Sequence, residues 1–430
     1  MYRYALIDPQ LFIENRRRFC DLLEERSIVI FNSNDEFPRS NDQNFSFRQN
    51  SDLFYLTGID QEKTILALFP GCPNPDLREN LFIIRPSETL VTWEGEKLSR
   101  EEAAALSGIK SIKSLDQFDG YLTEALAYAK NIYLNAYEYP KYSNEVPYRD
   151  FRFTQKLHEK FPNHEYKRAA PLIYGLRVVK SKIEIGLIQK AIDITEKAFR
   201  RILGIVKPGI TEYQVQAWIE HEFMFNKAGG PAYQTIVASG KNACGLHYNT
   251  NNDICKEGEM LLMDFGAEYA NYAADISRTI PVNGKFSIRQ KVVYEAVLRV
   301  QKAAIKLLIP GNSIDSLNKE VNKLMEKEMV SLGLITKEGI SKQDPEKPLF
   351  IKHYMHGTSH YLGLDVHDVG SKFDPFKPGM VVTCEPGLYI PQENLGIRIE
   401  NNILITEHGP VDLAKDIPVQ AEEIENLMKE

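Results

Sequence analysis

Two stretches of this chain follow one plan, and that repetition constrains the fold more than any other feature. IEIGLIQKAIDITEKAFRRILGIVKPGITEYQVQAWIEHEFMF (183–225) reads as a helix, a Pro-Gly break and a second helix. FSIRQKVVYEAVLRVQKAAIKLLIPGNSIDSLNKEVNKLMEKEM (286–329) repeats that order. In the first copy the second helix opens on a capping pattern, Thr211 with Gln214. The echo continues past the helices. LHYNTNNDICKEGEMLLMD (246–264) is matched by VHDVGSKFDPFKPGMVVTCE (366–385): a His, a loop, a Gly, a short apolar strand and a carboxylate. Six residues separate Gly258 from Asp264, and six separate Gly379 from Glu385. Helix pairs alone can coincide, but matched His and acid positions argue for duplication. Halves related by a pseudo-twofold axis place His247 opposite His367 and Asp264 opposite Glu385, with one acid-lined site between them.

A chain of 430 residues is too long for one ordinary core, so the repeat occupies only part of it. The expected division is an N-terminal α/β domain at 1–172 and a catalytic domain at 173–430. In the first part SIVIF (27–31), TILALF (64–69) and NLFIIR (80–85) read as strands, and RRRFCDLLEER (16–26) and REEAAALSG (100–108) as helices. YSNEVPYRDFRF (142–153) and PNHEYKRAAPLIYGLR (162–177) are rich in turn residues and mark the approach to the boundary. Trp93, one of two tryptophans, is expected in a core. A net charge of -7 argues against nucleic acid or an anionic membrane as the main partner. No apolar stretch is long enough to span a bilayer, and MYRYALIDPQ lacks the apolar run of a signal peptide. Five scattered cysteines with no CxxC read as reduced thiols, so the expected location is the cytoplasm and any metal ligands are oxygen and imidazole.

The acids and histidines supply such ligands. In LLMDFGAEYANYAADISRT (261–279), a hairpin centred on Tyr269 and Ala270 sets Asp264 directly across from Asp275, roughly 5 Å apart at Cα. Opposed like charges repel unless a cation lies between them. A different turn register, with one aspartate merely solvated, is the alternative. Glu385 ends the apolar run MVVTCEPG, where an unpaired carboxylate is costly. In GIRIENNILIT (396–406), alternation puts Arg398 and Glu400 on one face, which fits a metal ligand or a plain Arg–Glu pair. Nine histidines serve the whole chain, yet His353, His356, His360 and His367 crowd one window. His356 and His360 have the spacing of a zinc-protease helix, but Gly357 is a poor helix residue and no Glu follows His356. Four carboxylates and one imidazole suit Mn, Co, Fe or Zn in a two-metal site: the four negative charges balance two divalent ions, and a hydroxide bridging them is the expected nucleophile.

DFGAEYANYAADISRTIPVNGKF, HGTSHYLGLDVHDVG, EPGLYI and GIRIENNILIT resemble signature segments of the metal-dependent pita-bread peptidases, above all those of the aminopeptidase P (Xaa-Pro aminopeptidase) type. FRQNSDLFYLTG (47–58) and PVQAEEIENLM extend the likeness to both ends of the chain. The resemblance implies an α+β pita-bread C-terminal domain with internal pseudo-twofold duplication behind the α/β N-terminal domain. It implies that Asp264 holds one metal ion, His360 and Glu385 the other, while Asp275 and Glu400 bridge both. The ions expected are two divalent metals, foremost Mn, with Co, Zn or Fe as alternatives. It further implies that Glu385 handles the proton of the attacking water and that His247, His356, His367 and Arg398 line the site around the substrate. Tyr233 and Tyr389 are candidate pocket walls, with ordinary core tyrosines as the alternative reading. The expected activity is hydrolysis between an N-terminal residue and a penultimate proline in peptides, by a homodimer or homotetramer with no nucleic-acid or membrane partner. Two rivals stand beside it: a prolidase acting on Xaa-Pro dipeptides, and a pita-bread interaction module without metal.

Overall fold

The computed structural model describes residues 3–138 and 145–429. Contacts within it divide the chain after Arg177, at the end of the helix Ala170–Arg177, rather than at residue 172.

The N-terminal unit is built on a mixed six-stranded sheet. Its strand order is Ile112–Ser114, Glu79–Ile83, Ile65–Leu68, Ser27–Asn32, Asn131–Leu134, Glu165–Arg168. The central strand Ser27–Asn32 is antiparallel to Ile65–Leu68 and parallel to Asn131–Leu134. All six of its residues are buried, which is why its sequence is a continuous apolar run without alternation. Three expectations change here. The helix read at 16–26 is Gln10–Cys20, and its buried stripe includes Asn15 and Arg16. Those polar residues disguised the helix's inner face. Arg16 is buried because it donates to the Leu56 carbonyl at 2.7 Å and to Glu79 at 2.8 Å. The stretch read as turns before the boundary contains the helix Arg149–Lys160 and the sixth strand Glu165–Arg168; residues 142–144 lie outside the described part. Trp93 is no core residue, being 85% exposed on the short helix Glu88–Glu94.

The unit from Val178 onward bears the duplication out element by element. Helices Lys182–Leu203 and Glu212–Phe225 form the first pair, Ile288–Ile305 and Ile314–Ser331 the second. Each Pro-Gly break uses a left-handed glycine, Gly209 (φ 95°) and Gly311 (φ 91°). Gly258 (φ 80°) and Gly379 (φ 91°) play the same part before the strands Met260–Phe265 and Val381–Cys384. Ile236–Ser239 runs antiparallel to the first of these strands, with Ile236 opposite Asp264. Residues 358–362 run along the second, where the Glu385 N–H donates to the Thr358 carbonyl at 2.9 Å. Asp264 and Glu385 therefore hold equivalent positions in the two halves.

The halves meet where Ile276–Pro281 approaches residues 398–402. The Glu400 N–H donates to the Ser277 carbonyl at 3.1 Å, and Asn402 Nδ2 donates to the Asp275 carbonyl at 2.6 Å. Arg278, fully buried, donates to the carbonyls of Ser277, Glu400, Ile417 and Pro418 and thereby ties in the C-terminal segment. Among the described residues, no helix is long and apolar enough to cross a membrane.

Candidate active site

A hairpin from the first half carries two of the acids. Its strands pair with Asp264 opposite Ser277 and Phe265 opposite Ile276, and at the tip Tyr269 pairs with Tyr272. The turn is therefore Ala270–Asn271, with φ of 52° and 64°, and not Tyr269–Ala270. Two consecutive left-handed residues make the tight connection whose twist matches its strands, and Asn271 tolerates that conformation well. The true register differs from the expected one by two residues. Because side chains alternate with period two, the slip keeps both aspartates on one face but makes them diagonal neighbours rather than an opposed pair. Gly266 permits the close approach beside Asp275: a Cβ there would lie 1.8 Å from the Ala274 carbonyl oxygen.

Asp264, Asp275, His360, Glu385 and Glu400 all line one cavity of about 350 Å³. Three observations test whether this group suits cations. First, the Tyr233 hydroxyl lies 2.6 Å from Oδ1 of Asp264 and 2.6 Å from Oδ1 of Asp275. One hydroxyl proton cannot fully serve two carboxylates, so the pair is completed by a proton kept on one of them or by a cation beside both. Second, His360 Nδ1 faces the Tyr361 carbonyl at 3.0 Å and must carry the proton there. Nε2 is turned toward Asp275 at 3.3 Å and Glu385 at 3.6 Å, so either a second ring proton or a cation must lie between it and the acids. A carbonyl on one ring nitrogen and carboxylates converging on the other is the arrangement of a metal-ligating histidine. Third, Glu400 accepts from Ser277 Oγ at 2.8 Å through Oε2, while its buried Oε1 has no hydrogen-bond partner among the described residues. Ligand atoms of Asp275, His360 and Glu400 lie within 4.8 Å of one another. The residues fit divalent metal ions.

The electrostatics of the protein groups themselves agree. Burial raises the carboxyl pKa of Glu400 far above its usual range, and the neighbouring Asp275, Glu385 and Asp264 raise it further. Burial likewise raises Asp275, and lifts Glu385 to about 7 against the opposing charge of His360. Burial also disfavours the His360 imidazolium, but its hydrogen bond to Asp275 and the charges of Glu385 and Asp275 prevail and lift it to about 9. The acids' shifts record burial first and one another's charge second, and the rise at His360 records the acids that surround it.

Arg398 corrects one expectation. It does not pair with Glu400; its Nη2 meets Asp264 Oδ2 at 2.6 Å, and its Nε donates to Ser277 Oγ at 2.9 Å. Its Nη1 donates to the Tyr389 hydroxyl at 2.9 Å, and that hydroxyl is 2.8 Å from His356 Nε2. Tyr389 is wholly buried, so it is not a pocket wall but a link that receives from Arg398 and donates to His356. His356 Nδ1 is 2.8 Å from the Gly357 carbonyl, which engages both ring nitrogens. Burial and the Arg398 charge hold this imidazole neutral, lowering its pKa to about 4. His356 touches the cavity yet turns its donor to the backbone.

Tyr233 lines the cavity as expected, and so do His247 and His367, one from each half. His367 packs edge-on against His360 with ring centroids 4.4 Å apart. His353 stands apart, its Nδ1 2.9 Å from the Tyr389 carbonyl. The sequence reading passed over Ser277, which contacts both Glu400 and Arg398; its spacing of two from Asp275 was the available signal. It also passed over Gln234 and Asn249, which line the same cavity and meet at 2.6 Å, and no motif marks them.

Known proteins of the same design exist. Residues 186–407 match metallopeptidase family M24, and residues 12–133 match the aminopeptidase P N-terminal domain. The Xaa-Pro aminopeptidase of Haemophilus influenzae is 35% identical across 99% of this chain and 98% of its own. Xaa-Pro aminopeptidase 3 of Mus musculus is 34% identical over 94% of this chain and 81% of its own. A solved structure of zinc-substituted Escherichia coli aminopeptidase P in complex with product superimposes with a TM-score of 0.89, at 32% identity and 99% coverage of both chains. A duplicated catalytic unit, a cation-demanding set of acids and these full-length matches lead to one assignment: the chain belongs to metallopeptidase family M24 and carries the aminopeptidase P N-terminal domain.

Proposed function

We propose that the protein removes the N-terminal residue from peptides whose second residue is proline. The observation that carries this reading is the convergence of Asp264, Asp275, His360, Glu385 and Glu400 on one cavity in a chain similar over its whole length to Xaa-Pro aminopeptidases. Those matches do not favour the prolidase alternative, and the complete donor set does not suit an interaction module without metal.

In this reading Asp264 would help hold one divalent metal ion and His360 and Glu385 the other, with Asp275 and Glu400 contributing to both. Two divalent ions, Mn in our proposal, supply Lewis acidity when bound, polarising the scissile carbonyl and lowering the pKa of water toward neutrality. Glu385 takes the water proton and delivers it to the leaving imino nitrogen of proline. Glu385 lines the cavity with the other acids, where one carboxylate can both accept a proton and return it. His247 and His367 reach the tetrahedral intermediate from opposite halves, and such preorganised donors are worth roughly 3 kcal/mol each in the transition state. Arg398 fixes Asp264 from behind, and Tyr389 and His356 brace Arg398. Tyr233 holds Asp264 and Asp275 together from the cavity wall.

Proline at the second position explains a dedicated enzyme, because its imide lacks the N–H that peptidases gripping an extended backbone use. A homodimer or homotetramer is the assembly proposed, and the cytoplasm its location, in keeping with five cysteines present as thiols. The deciding experiment strips the metal, restores Mn, and compares an Xaa-Pro-Yaa tripeptide with an Xaa-Pro dipeptide. Tripeptide cleavage supports the proposal, cleavage of the dipeptide alone supports a prolidase, and no metal-dependent cleavage of either defeats both.

A further inference from the structure

The cavity histidine of the first half sits on a segment with little regular structure of its own. Between the strands Ile236–Ser239 and Met260–Phe265 the chain makes a short 3-10 turn, Gly240–Cys244, and then runs irregularly through His247 and Asn249. Both residues face the cavity and are exposed. Something else must hold them still.

We propose that Glu212, in the first turn of the helix Glu212–Phe225, is a positioning residue that fixes this segment so that His247 faces the substrate. The inference rests on the reading of His247 as a substrate-facing donor. Glu212 is wholly buried, and its carboxylate forms no ion pair among the described residues. It is satisfied instead by five donors, all from residues 239–253. Oε1 accepts from the Ser239 N–H at 2.7 Å, from Ser239 Oγ at 2.9 Å and from Asn242 Nδ2 at 3.1 Å. Oε2 accepts from the Tyr248 hydroxyl at 2.7 Å and from the Asp253 N–H at 2.9 Å. One carboxylate thus gathers both ends of the segment and the neighbour of His247.

The same helix grips the segment again one turn later. Gln216 accepts from Asn251 Nδ2 at 2.8 Å, and Asn251 Oδ1 in turn receives the Val237 N–H at 3.0 Å. Asn251 holds a left-handed conformation (φ 48°) and is buried. Residues 212 and 216 lie on one helix face, so the helix grips the segment on both sides of its cavity-facing residues. A buried charge is costly unless fully hydrogen-bonded, and charge-assisted bonds are shorter and stiffer than neutral ones. Five of them on one group make a rigid anchor. Rigidity matters because a donor to the intermediate loses most of its effect when displaced by about an ångström.

The test is a double-mutant cycle on the metal-loaded enzyme. Glu212→Gln keeps the shape but turns an amide NH2 toward donors that need an acceptor. The expected result is a fall in kcat of about tenfold to a hundredfold, with KM and bound metal unchanged within twofold. Added to His247→Ala, the same change should cost little more, because the residue through which it acts is already gone. Multiplicative losses in the double variant, or loss of metal in Glu212→Gln, would overturn the inference. Unchanged kcat in His247→Ala alone would remove the reading of His247 itself, and the inference with it. Should Glu212→Gln not fold, Tyr248→Phe, which deletes one of the five donors, runs the same cycle and is judged by the same coupling to His247.

Discussion

Removing the metals should make the protein's stability depend on pH in a window where the loaded enzyme's does not. In the bare site His360 Nε2 faces Asp275 and Glu385 and takes up a proton, its pKa lifted from 6.5 to about 9 by those acids against the opposing effect of burial. The imidazolium substitutes for the missing cation. A histidine whose folded pKa exceeds its unfolded value contributes stability that is whole below pH 6.5 and is lost as pH rises through about 9. The difference of about 2.5 units is worth roughly 3 kcal/mol, since one unit corresponds to about 1.4 kcal/mol. Glu385, raised to about 7, and Glu400 and Asp275, also raised, act in the same direction, because each must ionise while buried and beside the others. His356 works oppositely, its pKa being lowered to about 4, but that contribution is complete by pH 6.5 and silent above it. At about 2–4 °C per kcal/mol for a unit of this size, the chelated protein should lose roughly 10 °C in Tm between pH 6.5 and pH 9. Calorimetry with EDTA and with Mn measures it, and His360→Gln should abolish most of the slope. A chelated Tm that stays level or rises over that range, or the same slope with Mn present, would refute the reasoning.

Three further outcomes are expected. Glu385→Gln should keep the fold by circular dichroism yet lose at least about a hundredfold in kcat, the lower range for deleting a general acid–base group; turnover near wild type would sink its role. His360→Ala should lower bound metal by elemental analysis, whereas His367→Ala should lower kcat with metal retained; equal metal loss in both would mean that the two roles are misassigned. Tyr389→Phe leaves Arg398 Nη1 and His356 Nε2 without their buried partner and should cost about 1–3 kcal/mol in a denaturant melt, with activity reduced through Arg398. No change in either quantity would show that Tyr389 does not brace the site.

Much of this arrangement could be read along the chain. Duplication was legible because both copies repeat the same short-range signals: helix periodicity, a Pro-Gly break whose glycine is left-handed, and a glycine before an apolar strand ending in an acid. Parity placed Asp264 and Asp275 on one face, and a register slip of two left that statement intact. The buried-run rule marked Glu385, and alternation put Arg398 and Glu400 on one side. These are local properties of backbone periodicity, and any chain carrying them must satisfy them wherever it folds.

Other features were settled only by the packing of distant segments. The hairpin turn went to Ala270–Asn271 because the pairing of whole strands, down to Met260 with Pro281, outweighs a preference centred one residue earlier. Arg398 chose Asp264, more than a hundred residues away in sequence, over Glu400 two residues away, since alternation can align two side chains without making them touch. Tyr389 became a buried link and Trp93 an exposed surface residue, because an aromatic ring is apolar enough for either place and only its neighbours decide. Glu212 looked like any first-turn glutamate until folding delivered five donors to it. The sequence determined which groups would be present and which faces they would share; tertiary structure decided their partners, because hydrogen bonds and ion pairs require contact at about 3 Å, and contact between distant residues exists only once the halves have met.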